Sequence, residues 1–159
     1  MEPTQTIQTI QACPECGASW HEEETCQDHF HQMLTWEAER PGNYEVHHLM
    51  VLCYQLQHPS LYSPEALSGA VLLLADFLER GVTTQEVRRR HRATLDSGTR
   101  AWKIKGTPAS HGVYATPVQW TITAANVTAG GVDNYCDSVR TWARSVHEAL
   151  KASGNFSSE

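Results

Sequence analysis

Cys13-Pro14-Glu15-Cys16-Gly17 sets the first limit on how this chain can fold. Two thiolates separated by two residues point at one ion only if the backbone between them folds back. The same turn aims backbone N–H groups at the sulfurs. Glycine after the second cysteine permits the geometry such a turn demands. Redox proteins share Cys-x-x-Cys, but there a thioredoxin-like strand precedes the pair and a helix follows at once. Here a polar stretch, Met1 to Ile10, leads into it, and metal binding is the favoured reading.

Cys26 offers a third sulfur. It falls in the first turn of a helix announced by Thr25 and, three residues on, Asp28, a capping box with a carboxylate in the usual Glu or Gln position. The helix macrodipole favours a thiolate there. Structural zinc is nearly always four-coordinate, so one more ligand is required. Local spacing nominates His29, giving Cys13-x2-Cys16-x9-Cys26-x2-His29; His47 is the rival if the second helix crosses the first, and His21 and His31 are further options. His47 and His58 cannot share an ion across a continuous helix, since a rise of 1.5 Å per residue separates them by roughly 16 Å. Three thiolates and an imidazole around zinc carry a net charge of about −1 and leave no position for water or substrate. Such a shell stabilises a fold and does not hydrolyse. Cys53 and Cys136 lie on apolar helix faces and read as small buried hydrophobes.

The rest of the chain reads as helices. Phe30, Met33 and Leu34 form a stripe that ends at Pro41-Gly42-Asn43. A second helix is expected from about Tyr44 to Gln57, with patterned residues on two faces, as suits a central element; His58-Pro59 stops it. The third has the clearest limits: Ser63 as N-cap, Pro64 at the first position and Gly81 beyond the end. A shorter one starts at Thr83, with Glu86 as capping partner, and reaches about Leu95. Residues 96–131 are broken by glycine and proline, and Val118–Ile122 looks extended, in one short strand pair with the Trp102 region. The last helix runs from about Asp133 to Ala152 on the stripe Tyr135, Val139, Trp142, Val146 and Leu150. The expected fold is mainly α: a single-domain bundle of about five helices over residues 11–154, with an N-terminal zinc-knuckle turn, a short extended region, and tails at 1–10 and 155–159.

Size and charge agree with one globular unit. A chain of 159 residues buries roughly 68–70% of its unfolded surface and can build a core without disulfides. Twelve basic against eighteen acidic residues give a net charge of −6, which disfavours nucleic acid as a partner. The longest apolar run, Ala70 to Ala75, is far below the roughly 20 residues that span a bilayer, so no membrane is expected. With an odd number of cysteines and no basic–apolar leader, the expected location is the cytoplasm, with the thiols reduced.

Cys13-Pro14-Glu15-Cys16-Gly17-Ala18, the later Cys26, and the stretch from His47 through Leu49, Val51, Tyr54, Gln57, His58 and Pro59 resemble an uncharacterised bacterial domain-of-unknown-function family. Its members are similar in a Cys-x-x-Cys-Gly-Ala start and a His…Leu-x-Val-x-x-Tyr-x-x-Gln-His-Pro segment, and Trp142-Ala143 fits its C-terminal helix. The resemblance spans most of the chain. It implies that His47, Tyr54, Gln57 and His58 belong to the pattern and that histidine is unusual at the position of His29. The expected metal set thereby becomes Cys13, Cys16, Cys26 and His47. The chain departs from the family at His48, Leu52 and Cys53, where arginine, aspartate and alanine are more usual, and this weakens any transfer of acid–base chemistry.

His58 reads first as a cap on the last carbonyls of its helix. The alternative is that Tyr54, Gln57 and His58 line a pocket, with Trp102 or His111 opposite. Arg88-Arg89-Arg90-His91-Arg92 reads as a solvated helix face or an anion contact. No nucleophile elbow, His-Glu-x-x-His or phosphate-binding loop occurs. The expectation is a small zinc-stabilised binding or adaptor protein for an unidentified small molecule or protein. The alternative is a metal- or histidine-dependent hydrolase or transferase using His58, Tyr54 and His48.

Overall fold

The computed structural model describes residues 11–20, 25–89 and 106–155. Its main elements are α1 (Cys26–Glu39), α2 (His47–Gln57), α3 (Pro64–Glu79), α4 (described at 84–89), α5 (Ala124–Ala129) and α6 (Tyr135–Ser153). Two-residue strands β1 (Gln11–Ala12) and β2 (Ser19–Trp20) pair antiparallel, Ala12 opposite Ser19. The fold is mainly α. Among the described residues no helix is long and apolar enough to cross a membrane.

Local chemistry sets the helix starts. Thr25 N–H donates to Asp28 Oδ2 (2.8 Å) and Asp28 N–H to Thr25 Oγ1 (3.4 Å), closing the capping box of α1. Ser63 Oγ accepts from Ala66 N–H (3.2 Å), with Pro64 in the first turn of α3. Glu86 N–H donates to Thr83 Oγ1 (3.2 Å) at the start of α4. The expected reach of α4 to Leu95, the strand partner near Trp102, His21 and residues 1–10 lie outside the described residues.

Packing follows the apolar stripes. Tyr135, Val139, Trp142, Val146 and Leu150 of α6 are all buried, and α6 lies against α2, α3 and α5. Burial of a Val- or Leu-sized side chain contributes about 1.5–3 kcal/mol, so this stripe dominates the helix's docking. α2 sits centrally between α3 and α6, burying Met50, Leu52, Cys53, Tyr54, Leu56 and Gln57. That position matches its two patterned faces.

Three expectations need correction. The helix predicted from Tyr44 begins at His47; Pro41–Val46 is a 3₁₀ helix, started early by the fixed φ of Pro41. Val118–Ile122 forms no strand, and the chain there leads into the unforeseen α5. Its capping box uses Thr123 with Asn126, and six residues are too few to show a stripe. The strand pair flanks the cysteine turn instead.

The segment 106–112 lies across 59–62, the stretch that follows α2. Gly106 N–H donates to Leu61 O (3.0 Å) and Gly112 N–H to Tyr62 O (2.8 Å). A Cβ on Gly112 would stand 2.8 Å from Pro59 O and 2.8 Å from Leu67 Cδ2. Backbone on one side and a buried leucine on the other leave little room to yield. Gly112→Ala is expected to destabilise the fold by about 1–3 kcal/mol, read as a lower urea midpoint at unchanged m-value.

Candidate metal centre

The cysteine turn is built by its own backbone. Cys13 N–H donates to Ala18 O and Gly17 N–H to Cys13 O, both at 2.9 Å. Gly17 takes φ +77°, which side chains disfavour. Amides of Glu15 and Cys16 face the Cys13 sulfur, and the amide of Ala18 faces that of Cys16. Cys26 is the first residue of α1, fixed by the Thr25 cap.

His58 completes the group. Its Nδ1 lies 2.6 Å from Tyr54 O, so this nitrogen carries the proton and donates it. That tautomer leaves Nε2 with a lone pair, and Nε2 is buried without a hydrogen-bond partner. The three Sγ atoms and one His58 ring nitrogen all lie within 4.8 Å of one another, in residues only 5–8% exposed. Cys16 and Cys26 sulfurs are 3.5 Å apart. Tetrahedral bonds of about 2.3 Å to sulfur and 2.0 Å to nitrogen require ligand separations of this order. The amides on the sulfurs, the held tautomer and the bare Nε2 all fit a divalent ion.

Electrostatics makes the same point. The hydrogen bond with Cys26 draws the Cys16 thiol down to about 4, against burial and with help from His58. That bond, burial and the Cys16 charge push Cys26 up, and burial raises Cys13. Burial by itself would lower His58, but the Cys16 sulfur and the Tyr54 carbonyl hold it above its ordinary value. With protons alone the sulfurs cannot all ionise together. A coordinated divalent cation permits it, because it deprotonates its thiols outright.

The surroundings lock the group in place. Tyr54 lies between Phe30 and His58, with ring centroids at 4.6 and 4.4 Å. Burial and then the nearby sulfurs push its phenol up to about 12. Glu15 Oε1 accepts from Ser60 N–H at 3.1 Å, pinning the cysteine turn to the chain just after His58. Sequence reasoning missed this contact, although Glu15 sits between the two cysteines.

Cys13, Cys16 and Cys26 are thus brought together, but His47 is not with them. The fourth member is His58, at the other end of α2. His47 Nδ1 instead meets the buried Glu37 Oε1 at 2.6 Å, and Tyr135 Oη donates to Glu37 Oε2 at 2.5 Å. His29 Nδ1 is 2.8 Å from Thr128 Oγ1 on α5, and His31 is exposed. Tyr54 and Gln57 are buried core side chains, Gln57 donating from Nε2 to Ile122 O (2.7 Å), and His58 faces sulfur. Cys53 is fully buried, its thiol pushed up by desolvation; Cys136 is only half-buried, near Asn43.

The profile of a family of unknown function, DUF5946, matches residues 11–151. The chain belongs to this family. The DUF5946 match starts at β1 and ends within α6, so it contains all four members of the group. No curated protein and no solved structure matches the chain.

Proposed function

We propose that this chain is a small zinc-stabilised protein of the cytoplasm, with a binding or adaptor role, in which Cys13, Cys16, Cys26 and His58 hold one structural zinc ion. The observation that carries the reading is the buried, unpartnered Nε2 of His58 aimed at three sulfurs. Thiolate and imidazole donors in a tetrahedral S₃N set suit zinc above the hard cations. Bound zinc would supply positive charge and directed bonds joining the cysteine turn, the start of α1 and the end of α2. Four protein ligands fill such a shell, which favours a structural role over hydrolysis. An odd number of cysteines, three of them the proposed ligands, suits a reducing compartment. Elemental analysis of purified, untagged protein should find one zinc per chain. Absence of stoichiometric zinc overturns the reading.

A further inference from the structure

A cleft near the N-terminal end of α2, away from the His58 end that meets the sulfurs, has a different chemistry. About 620 Å³ of space opens between the 3₁₀ helix at Pro41–Val46, α2, α3, the start of α4 and α6. Its floor is apolar: Leu49, Phe77 and Val82 are each partly exposed there, beside the buried Val46. Arg88 and Arg140 stand in the walls with one acidic residue, Glu45.

The two arginines differ. Arg140 is 3.4 Å from Glu45 and 3.7 Å from Asp137, which balances the acidic residue in place. The Arg88 guanidinium lies over the Tyr44 ring, 4.5 Å from its centroid. Among the described residues no carboxylate pairs with it, whereas its neighbour Arg89 reaches Glu86 at 3.8 Å. Tyr44 in turn stacks on His47, with centroids 4.7 Å apart and planes 13° from parallel, and His47 is braced by the buried Glu37 and Tyr135. A ladder from the core therefore holds Arg88 at the cleft. A guanidinium fixed on an aromatic face keeps its planar fork of donors for a carboxylate.

We propose that this cleft binds a small amphipathic organic anion, its carboxylate on Arg88 and its apolar body on Val46, Leu49, Phe77 and Val82. The volume lies in the range of small-molecule sites, roughly 300–1,000 Å³. Arg140 is already held by Glu45 and Asp137, so Arg88 is the cation left at the cleft for a single carboxylate. The site is separate from the metal centre and does not depend on it. It also gives Arg88, the first residue of the basic run, a specific task.

The test is a titration of the full-length protein with sodium octanoate and, separately, 1-octanol, followed by backbone amide shifts. Octanoate should give saturable shifts at residues 44–49 and 82–88, and octanol should bind at least about tenfold more weakly. Arg88→Gln should cost octanoate about tenfold or more in affinity and leave metal content and octanol binding unchanged. Arg88→Lys, which keeps the charge without the planar fork, should fall between them. Equal affinity for octanol, shifts elsewhere, or an unaffected Arg88→Gln variant overturns the proposal.

Discussion

Chelating the metal at neutral pH should cost this protein about 4 kcal/mol or more, relative to buffer with free zinc at a thousandfold its dissociation constant. For a chain of this length that corresponds to a fall in Tm of roughly 8–16 °C. The loss should be local before it is global. The cysteine turn is flanked by strands of only two residues, and Glu15 on Ser60 ties it to the chain after α2 by a side-chain hydrogen bond, so the ion would be a main attachment. Hydrogen exchange should therefore accelerate first at residues 13–18 and 58–61, while α6, with its fully buried stripe, stays protected. Release of the metal without any change in stability or protection would point to exchangeable sulfurs serving sensing or trafficking, not to a structural centre.

Histidine substitutions separate the ligand from its rivals. His58→Ala should weaken zinc binding by more than about 100-fold, beyond the loss expected for a group that only supports a ligand. His58→Cys should keep stoichiometric zinc, because a shell of four thiolates is also tetrahedral and closed. His47→Gln should leave zinc content unchanged. It lies at the opposite end of α2, and glutamine can still donate to Glu37, so no buried carboxylate is left alone. His29→Gln should also retain zinc, since that ring serves Thr128 on α5. Metal content by elemental analysis, alongside circular dichroism to confirm folding, reads all four.

Much of this was legible in the sequence, for identifiable reasons. Helix starts with side-chain caps, Thr25 and Ser63, and the long stripe of α6 are local signals, and they fall where local rules place them. The convergence of three cysteines follows from a turn that folds back and a helix that starts ten residues later. The histidine was not legible in the same way, because it is chosen by tertiary packing. His29 shares a helix with Cys26, but α5 covers its face, and α5 is too short to announce itself. His47 is drawn to Glu37, a carboxylate buried by the Tyr135 contact 98 residues along the chain. One signal did favour His58: it ends α2 just before Pro59, where the chain breaks and its imidazole can cap Tyr54 O, leaving the other nitrogen for sulfur. The helix arithmetic kept His47 and His58 from sharing an ion but left the choice of ligand between His29 and His47; the docking of Glu15 on Ser60 is the tertiary contact that brings the cysteine turn to the His58 end of α2.

X-ray absorption at the zinc edge on the purified, untagged protein tests the central claim most directly. The account predicts one zinc per chain with three sulfurs at about 2.3 Å and one nitrogen at about 2.0 Å, the nitrogen signal disappearing in any zinc retained by His58→Cys. A shell containing oxygen ligands, fewer than three sulfurs, or an imidazole contribution that persists in His58→Cys would contradict it.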